Sequence, residues 1–465
     1  MNRIRETISL VLAALRGEEL NFTEGGINRA IFMLSLPMIL EMAMESLFAV
    51  VDIYFVGRLQ DSHAVAAVGL TESTLALLYS LAWGLSAGAT ALVSRRVGEK
   101  DFKGASVAAV QVLYAGAGIS LVLSLVGLFF HKDLLRLMGA SSEVIAVGSG
   151  YTAWMWVGNA SVMFLFLINA VFRGAGNAAI AMRSLWLANI INMVLDPLLI
   201  FGWGSIPAMG VEGAAIATNI GRSVGVLYQL YFLFNGGSLI KLAFDKLKPD
   251  FRVMMSLITL SAGGTMQNII ASASWVFLAR IMAGFGSSAV AGYTIAIRVI
   301  IFTILPSWGM ANAAATLVGQ NLGAGKPERA EQSVWKAGFY NMVFLFLIMF
   351  VFLFLSEPIL LFFTNDISSI QYGTRCLQIV SLGYAFYGYG MILSQAFNGA
   401  GDTRTPLYLN LFGYWFFQVP LAYVLAYQTF LQSNGVFAAI AIAESAVAVA
   451  AIFLFRRGKW KQVKV

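Results

Sequence analysis

Apolar runs of 20–30 residues follow one another along the whole chain, separated by short glycine-rich or charged segments: GEKDFKG, HKDLLRLMGASSE, RGAGN, GAGKPERAE, SEPILLFFTND and NGAGDTRTP. About 20 apolar residues are enough for a helix to cross the hydrocarbon core of a bilayer. In lipid, every backbone polar group must be paired within the protein, which leaves only helices and closed barrels. Strand-length alternation is absent, so these runs are helices. With 59% hydrophobic and 11% charged residues, against about 25% charged in soluble domains, the chain has no polar surface to offer water. Twelve spans are expected, at 28–58, 63–94, 104–130, 146–172, 178–203, 210–235, 254–284, 288–320, 332–356, 371–397, 405–431 and 435–456.

The chain is also an internal duplication. RRVGEKD (95–101) aligns with QNLGAGK (320–326), FRGAGN (172–177) with FNGAGD (397–402), and LAWGLSAGATALV (81–93) with PSWGMANAAATLV (306–318), always at an offset of 225 residues. One offset held over so long a stretch marks a repeat architecture. Six spans per half means that both halves enter the membrane from the same side, related by an axis along its normal, with a cavity between two lobes. The expected fold is therefore an all-α integral membrane protein of twelve transmembrane helices in two pseudo-symmetric six-helix lobes. The expected segments are an N-terminal amphipathic piece (1–26), a first lobe (27–235), a linker (236–253), a second lobe (254–457) and a basic tail (458–465).

Lys and Arg set the orientation. Of the 30 basic residues, 23 fall in the N-terminal segment, the even-numbered loops or the C-terminus. Both termini are expected in the cytoplasm and the protein in the plasma (inner) membrane. The N-terminus lacks the small-residue site of a cleavable signal and reads instead as a surface helix. Cys376 is the only cysteine, so no intrachain disulfide forms. The charge of +7 reports topology and gives no reason to expect nucleic acid.

Function is expected where the apolar pattern is violated. The first span, LPMILEMAMESLFAVVDIYFVGRL (36–59), carries Glu41, Glu45 and Asp52. A carboxylate at a bilayer centre costs about 2.5–3.5 kcal/mol on insertion scales and marks ion, proton or substrate pathways. At 100° per residue these three share one helical face. In the fifth span, LANIINMVLDPLLIFG (187–202), Asn192 and Asp196 lie one turn apart, and Pro197 is expected to bend the helix and free carbonyls beside the acid. Two buried carboxylates resist joint ionisation, so Asp52 and Asp196 together would share a proton or hold Na+. The repeat does not copy these acids: Asp52 aligns with Phe277, Asp196 with Leu421, Glu45 with Ile270 and Glu41 with Met266. Carboxylate chemistry is therefore expected in the first lobe. Glu72 and Glu444 are further acids near or within spans, and Glu212 reads as a loop residue. No metalloprotease, nucleophile-elbow or phosphate-loop motif is present, so no enzyme is expected.

The first-span pattern, VAAVGL, GQNLGAGKPERA, the RGAGN/NGAGD pair, NIINMVLDPLLIFG and GVEGAAIAT together resemble the MATE (multidrug and toxic compound extrusion) family from Ile27 to Arg457, most closely its DinF-like and archaeal branch. The resemblance implies cation-coupled export of amphiphilic compounds by alternating access. By motif, Asp52 and Asp196 correspond to coupling aspartates, Asn192 to the amide beside them and Thr218 to a nearby hydroxyl. These four would be the Na+ ligands if Na+ is the coupling ion. Tyr151, Asn169 and Glu41 correspond to a polar network, and Pro37 to the proline at a bend of the first helix. Glu45 is an added carboxylate, placed with the coupling set. No cofactor beyond H+ or Na+ is implied, and the partners expected are small amphiphilic substrates and membrane lipids around a monomer. The alternatives are a lipid or lipid-linked glycan flippase, whose cavity is usually cationic, and an intramembrane enzyme or receptor, for which no constellation speaks.

Overall fold

In the computed structural model, residues 2–18, 21–59, 61–235, 239–242 and 248–464 are described, without the side chains of Asn2, Arg3, Ile4 and Ile53. The expected linker 236–253 therefore lies partly outside the described residues. Its C-terminal end is fastened by Gln111, whose amide donates to the Lys248 carbonyl (3.0 Å) and accepts from the Asp250 amide (3.0 Å).

The described residues are predominantly helical: α1 (Asn2–Arg16), α2 (Ile27–Gly57), α3 (Ser62–Gly98), α4 (Phe102–Leu137), α5 (Ser142–Val157), α6 (Asn159–Ala175), α7 (Ala178–Phe201), α8 (Val211–Asn235), α9 (Phe251–Ala283), α10 (Ser287–Gly323), α11 (Pro327–Leu361), α12 (Ile367–Ser381), α13 (Tyr384–Ala400), α14 (Arg404–Asn410), a π-helical turn (Leu411–Gln418), α15 (Val419–Tyr427) and α16 (Ser433–Arg456). Side-chain caps at Asp61, Asp101, Ser141, Asp250 and Asp366 satisfy free amides and fix where the helices begin. Gly176 and Gly401 end α6 and α13 with φ of 91° and 88°, a conformation that needs glycine. They are the same position of the repeat, in the RGAGN and NGAGD turns.

Among the described residues ten runs are long and apolar enough to span a bilayer, with α5–α6 acting as one and Arg404–Tyr427 as another. The pair α12–α13, bent by 63°, and α8, diluted by Asn219, Arg222 and Gln229, complete the twelve. One detail differs from the sequence reading: Glu212 sits in the first turn of α8, not in a loop. Pro197 lies inside α7, whose helical run continues past it.

The duplication is visible in contacts that repeat across the pseudo-axis. Trp83 meets Trp308, its counterpart 225 residues on, with ring centroids 6.1 Å apart. A Cβ on Gly98 would overlap the Gln320 carbonyl, and one on Gly323 would overlap the Arg95 carbonyl. Here each half presses a backbone into the glycine of the other. Gly84 packs against Ser261 and Thr265 of α9, and its counterpart Gly309 packs against Met38 and Ile39 of α2.

One hydrophobic cluster runs from Leu278 to Trp460 and takes in Ala30, Leu34 and Met38 of α2. The other runs from Val56 to Leu257. The first part of α2 thus packs with the second half of the chain, and its far end with the first. The termini gather where α3 and α10 end. Arg183 donates to the Leu15 carbonyl (2.7 Å), Lys326 to the Thr23 carbonyl (3.0 Å) and Arg95 to the Val463 carbonyl, while Lys461 pairs with Glu331 (2.6 Å).

Candidate functional site

The three acids of α2 do share a face, but each meets a different environment. Rising about 1.5 Å per residue, the helix places Glu45 about 6 Å and Asp52 about 16 Å along its axis from Glu41.

Glu41 is fully buried. Its Oε1 accepts from Asn169 Nδ2 (2.9 Å) and Arg173 Nη1 (3.1 Å). Asn169 Oδ1 in turn accepts from Ser184 Oγ (3.0 Å) and Gln229 Nε2 (2.5 Å). This network ties α2, α6, α7 and α8 together. Arg173, counted among the loop cations in the sequence, is 6% exposed and is the counter-ion of Glu41.

Glu45 carries a resident cation as well. Arg222 of α8, 2% exposed, donates Nη2 to Glu45 Oε1 at 3.1 Å, and Asn189 Nδ2 reaches Glu45 Oε2 at 3.3 Å. The Arg222 guanidinium also stacks over Phe48 and Phe166, at 5.2 and 5.7 Å from the ring centroids, a favourable placement for a desolvated cation. Its Nε and Nη1 have no hydrogen-bond partner. Sequence reasoning missed Arg222. An intramembrane arginine was a signal in its own right, but nothing in the sequence says which acid it faces. Glu45, placed with the coupling acids, is thus already paired.

Asn192, Asp196 and Thr218 are brought together by α7 and α8, with Asp52 of α2 within electrostatic reach of Asp196. Asn192 Nδ2 donates to Asp196 Oδ1 (3.2 Å) and Thr218 Oγ1 (3.1 Å). Asp196 is fully buried, and among the described residues its Oδ2 and the Asn192 Oδ1 find no donor. Two acceptor oxygens left bare in a buried site are costly, and a cation or a proton would satisfy them. The charge of Asp52 acts on both Asp196 and Glu72. Among the described residues Asp52 has no hydrogen-bond partner, and Arg222 is the cation whose field reaches it.

Tyr151 belongs to a different acid than expected. Its Oη donates to Glu72 Oε1 at 3.4 Å, not into the Glu41 network with Asn169. Glu72, noted in the sequence only as an acid near or within a span, lies within electrostatic reach of both Asp52 and Arg222. Pro37 is buried in α2 beside Met38 and Ile39, the residues that Gly309 touches. The helix runs unbroken through it.

Carboxylates within spans are not confined to the first half: Glu444, half-buried, lies well inside α16 and lines a cavity in the second half.

The MatE family model matches residues 37–198 and 265–424. A Bacillus subtilis protein named as a probable multidrug resistance protein, YoeA, is 26% identical over 94% of this chain and 95% of its own. The Staphylococcus aureus multidrug export protein MepA is 24% identical over 93% and 94%. The solved outward-facing conformation of a multidrug resistance MATE transporter of the MOP superfamily superposes with a TM-score of 0.88 at 26% identity, over 95% of this chain and 98% of that one.

Proposed function

The chain belongs to the MatE family, and on that premise we propose that it is a secondary active antiporter, exporting amphiphilic, cationic organic compounds in exchange for H+ or Na+. As a member of this family it is a transporter embedded in the membrane and not an enzyme. The observation that carries the reading is the bare pair Asp196 Oδ2 and Asn192 Oδ1, held on α7 within electrostatic reach of Asp52 on α2.

A cation bound there would draw α2 and α7 together, and an organic cation arriving from the cytoplasm would compete for the same negative charge. Each ligand would then stabilise the arrangement the other disfavours, which is what coupling requires. Because α2 is shared between the two hydrophobic clusters, a change in its path near Pro37 would move one half against the other. We take 27–235 and 254–457 as the moving lobes, Thr218 as the hydroxyl ligand of a bound cation, and the monomer in the plasma membrane, with both termini cytoplasmic, as the working unit.

The test is flux in proteoliposomes, comparing wild type with Asp52→Asn under an imposed pH gradient and, separately, under a Na+ gradient. Loss of at least about tenfold in gradient-driven efflux is expected. Equal flux from both proteins would remove Asp52 from the mechanism, and the dependence on each gradient identifies the ion.

A further inference from the structure

Glu444 stands at the repeat position of Asn219, 225 residues away, and the comparison shows what changed. In the first half, Asn219 closes the break between α5 and α6. Its Nδ2 donates to the Trp154 carbonyl (2.8 Å), its Oδ1 accepts from Ser161 Oγ (3.1 Å), and it packs against Gly158. In the second half the corresponding break, between α12 and α13, falls at Gly383, the counterpart of Gly158. There the residue in the position of the amide is a carboxylate, which cannot donate to a carbonyl when ionised.

The structure has left room beside it. A cavity of about 30 Å³ is lined by Glu444, Tyr384, Tyr387, Gly383, Trp275 and Ile440, among others, enough for one or two waters. Glu444 makes a single hydrogen bond, from Tyr414 Oη at 3.4 Å, and Tyr414 lies in the π-helical turn, a backbone feature that often accompanies functional sites. Tyr384 is 2% exposed, and its hydroxyl makes no hydrogen bond of normal geometry, Thr303 being the polar neighbour that acts on it. The groups facing Glu444 are Tyr414 from the π-helical turn and Tyr387 from α13, with Tyr384 behind it. Among the described residues no cationic side chain is paired with it, in contrast to Glu41 and Glu45. A broken span lining a cavity is where transporters place their ion sites. One carboxylate and a few phenols amid Trp275, Ile300, Ile304 and Val380 supply too few oxygens to replace the hydration of a metal ion, but they suit a proton.

We propose that Glu444 is a second proton-binding site, located in the second half and separate from the Asp52–Asp196 pair. The carboxylate takes up one proton to become the neutral acid and returns it to water in the cavity, with Tyr414 donating a hydrogen bond to the ionised form. The proposal extends the antiport reading without requiring it, because proton uptake by Glu444 is measurable with no substrate and no flux.

The experiment is a pH titration of the full-length protein in lipid nanodiscs, followed by the infrared C=O stretch of protonated carboxyl groups. The proteins compared are wild type, Glu444→Gln, Asp52→Asn and Tyr414→Phe, in sodium and in choline buffers. Expected is a titrating component that vanishes in Glu444→Gln, survives in Asp52→Asn and shifts its midpoint in Tyr414→Phe. If Glu444→Gln does not fold, the Tyr414→Phe shift decides alone. A spectrum unchanged by either substitution overturns the site. A Glu444 component whose midpoint moves with sodium concentration overturns its assignment to a proton. Efflux that fails with the titration intact would count against the antiport reading only.

Discussion

At the scale of single residues, the centre of the first half is an alternation of acids with and without their own cation. Glu41 has Arg173 and Glu45 has Arg222, whereas Asp52 and Asp196 have none paired to them. Breaking a buried ion pair by removing one partner costs about 3–5 kcal/mol, since the other charge is left unpaired. Arg222→Met is therefore expected to lower the thermal midpoint of the detergent-solubilised protein, and Arg222→Met with Glu45→Gln to recover most of the loss. A double variant no more stable than the single one would show that Glu45 is not the partner that matters. The acids themselves were legible in the sequence, because each violates an apolar run and the repeat shows that they are not scaffold. Their partners were not. Arg222 lies on a different helix from Glu45, 177 positions away, and helical periodicity relates residues only along one helix. Arg173 looked like a loop cation because it adjoins the RGAGN turn, although it is buried.

At the scale of elements, α2 is the member that both hydrophobic clusters claim, and Gly309 is where α10 holds it. A Cβ there would come within 2.6 Å of backbone atoms of Met38 and Ile39, so a methyl requires the two helices to shift apart. Overpacking of this kind costs about 1–3 kcal/mol. Gly309→Ala should lower the thermal midpoint, while Gly57→Ala, with nothing within 4 Å of the new methyl, should fall within about 0.5 kcal/mol of wild type. Equal effects of the two would mean that the α2–α10 crossing relaxes freely. The sequence showed the twelve spans but not that the fourth and tenth are broken at Gly158 and Gly383. Glycine within an apolar run is common in membrane helices, and only the packed neighbours, Asn219 in one half and Ala441 in the other, show that these two carry a break.

At the scale of the molecule, the 225-residue offset foretold the pseudo-axis, and the reciprocal Gly98 and Gly323 contacts are that axis in atomic form. Where α3 meets α10 the halves touch through Trp83 and Trp308, so a short bismaleimide across Trp83→Cys and Trp308→Cys should arrest transport while either single substitution leaves flux measurable. The native Cys376 is fully buried and silent in such an assay. Undiminished flux after complete cross-linking would separate this contact from the transport cycle. The symmetry of the scaffold makes the acid that belongs to the second half alone, Glu444, more consequential. Exchange of a single proton for a monovalent organic cation carries no net charge across the membrane. If Glu444 loads a second proton in the same cycle, each turnover moves one net positive charge inward, and export then draws on the membrane potential, at about 2.3 kcal/mol per 100 mV, as well as on the pH difference.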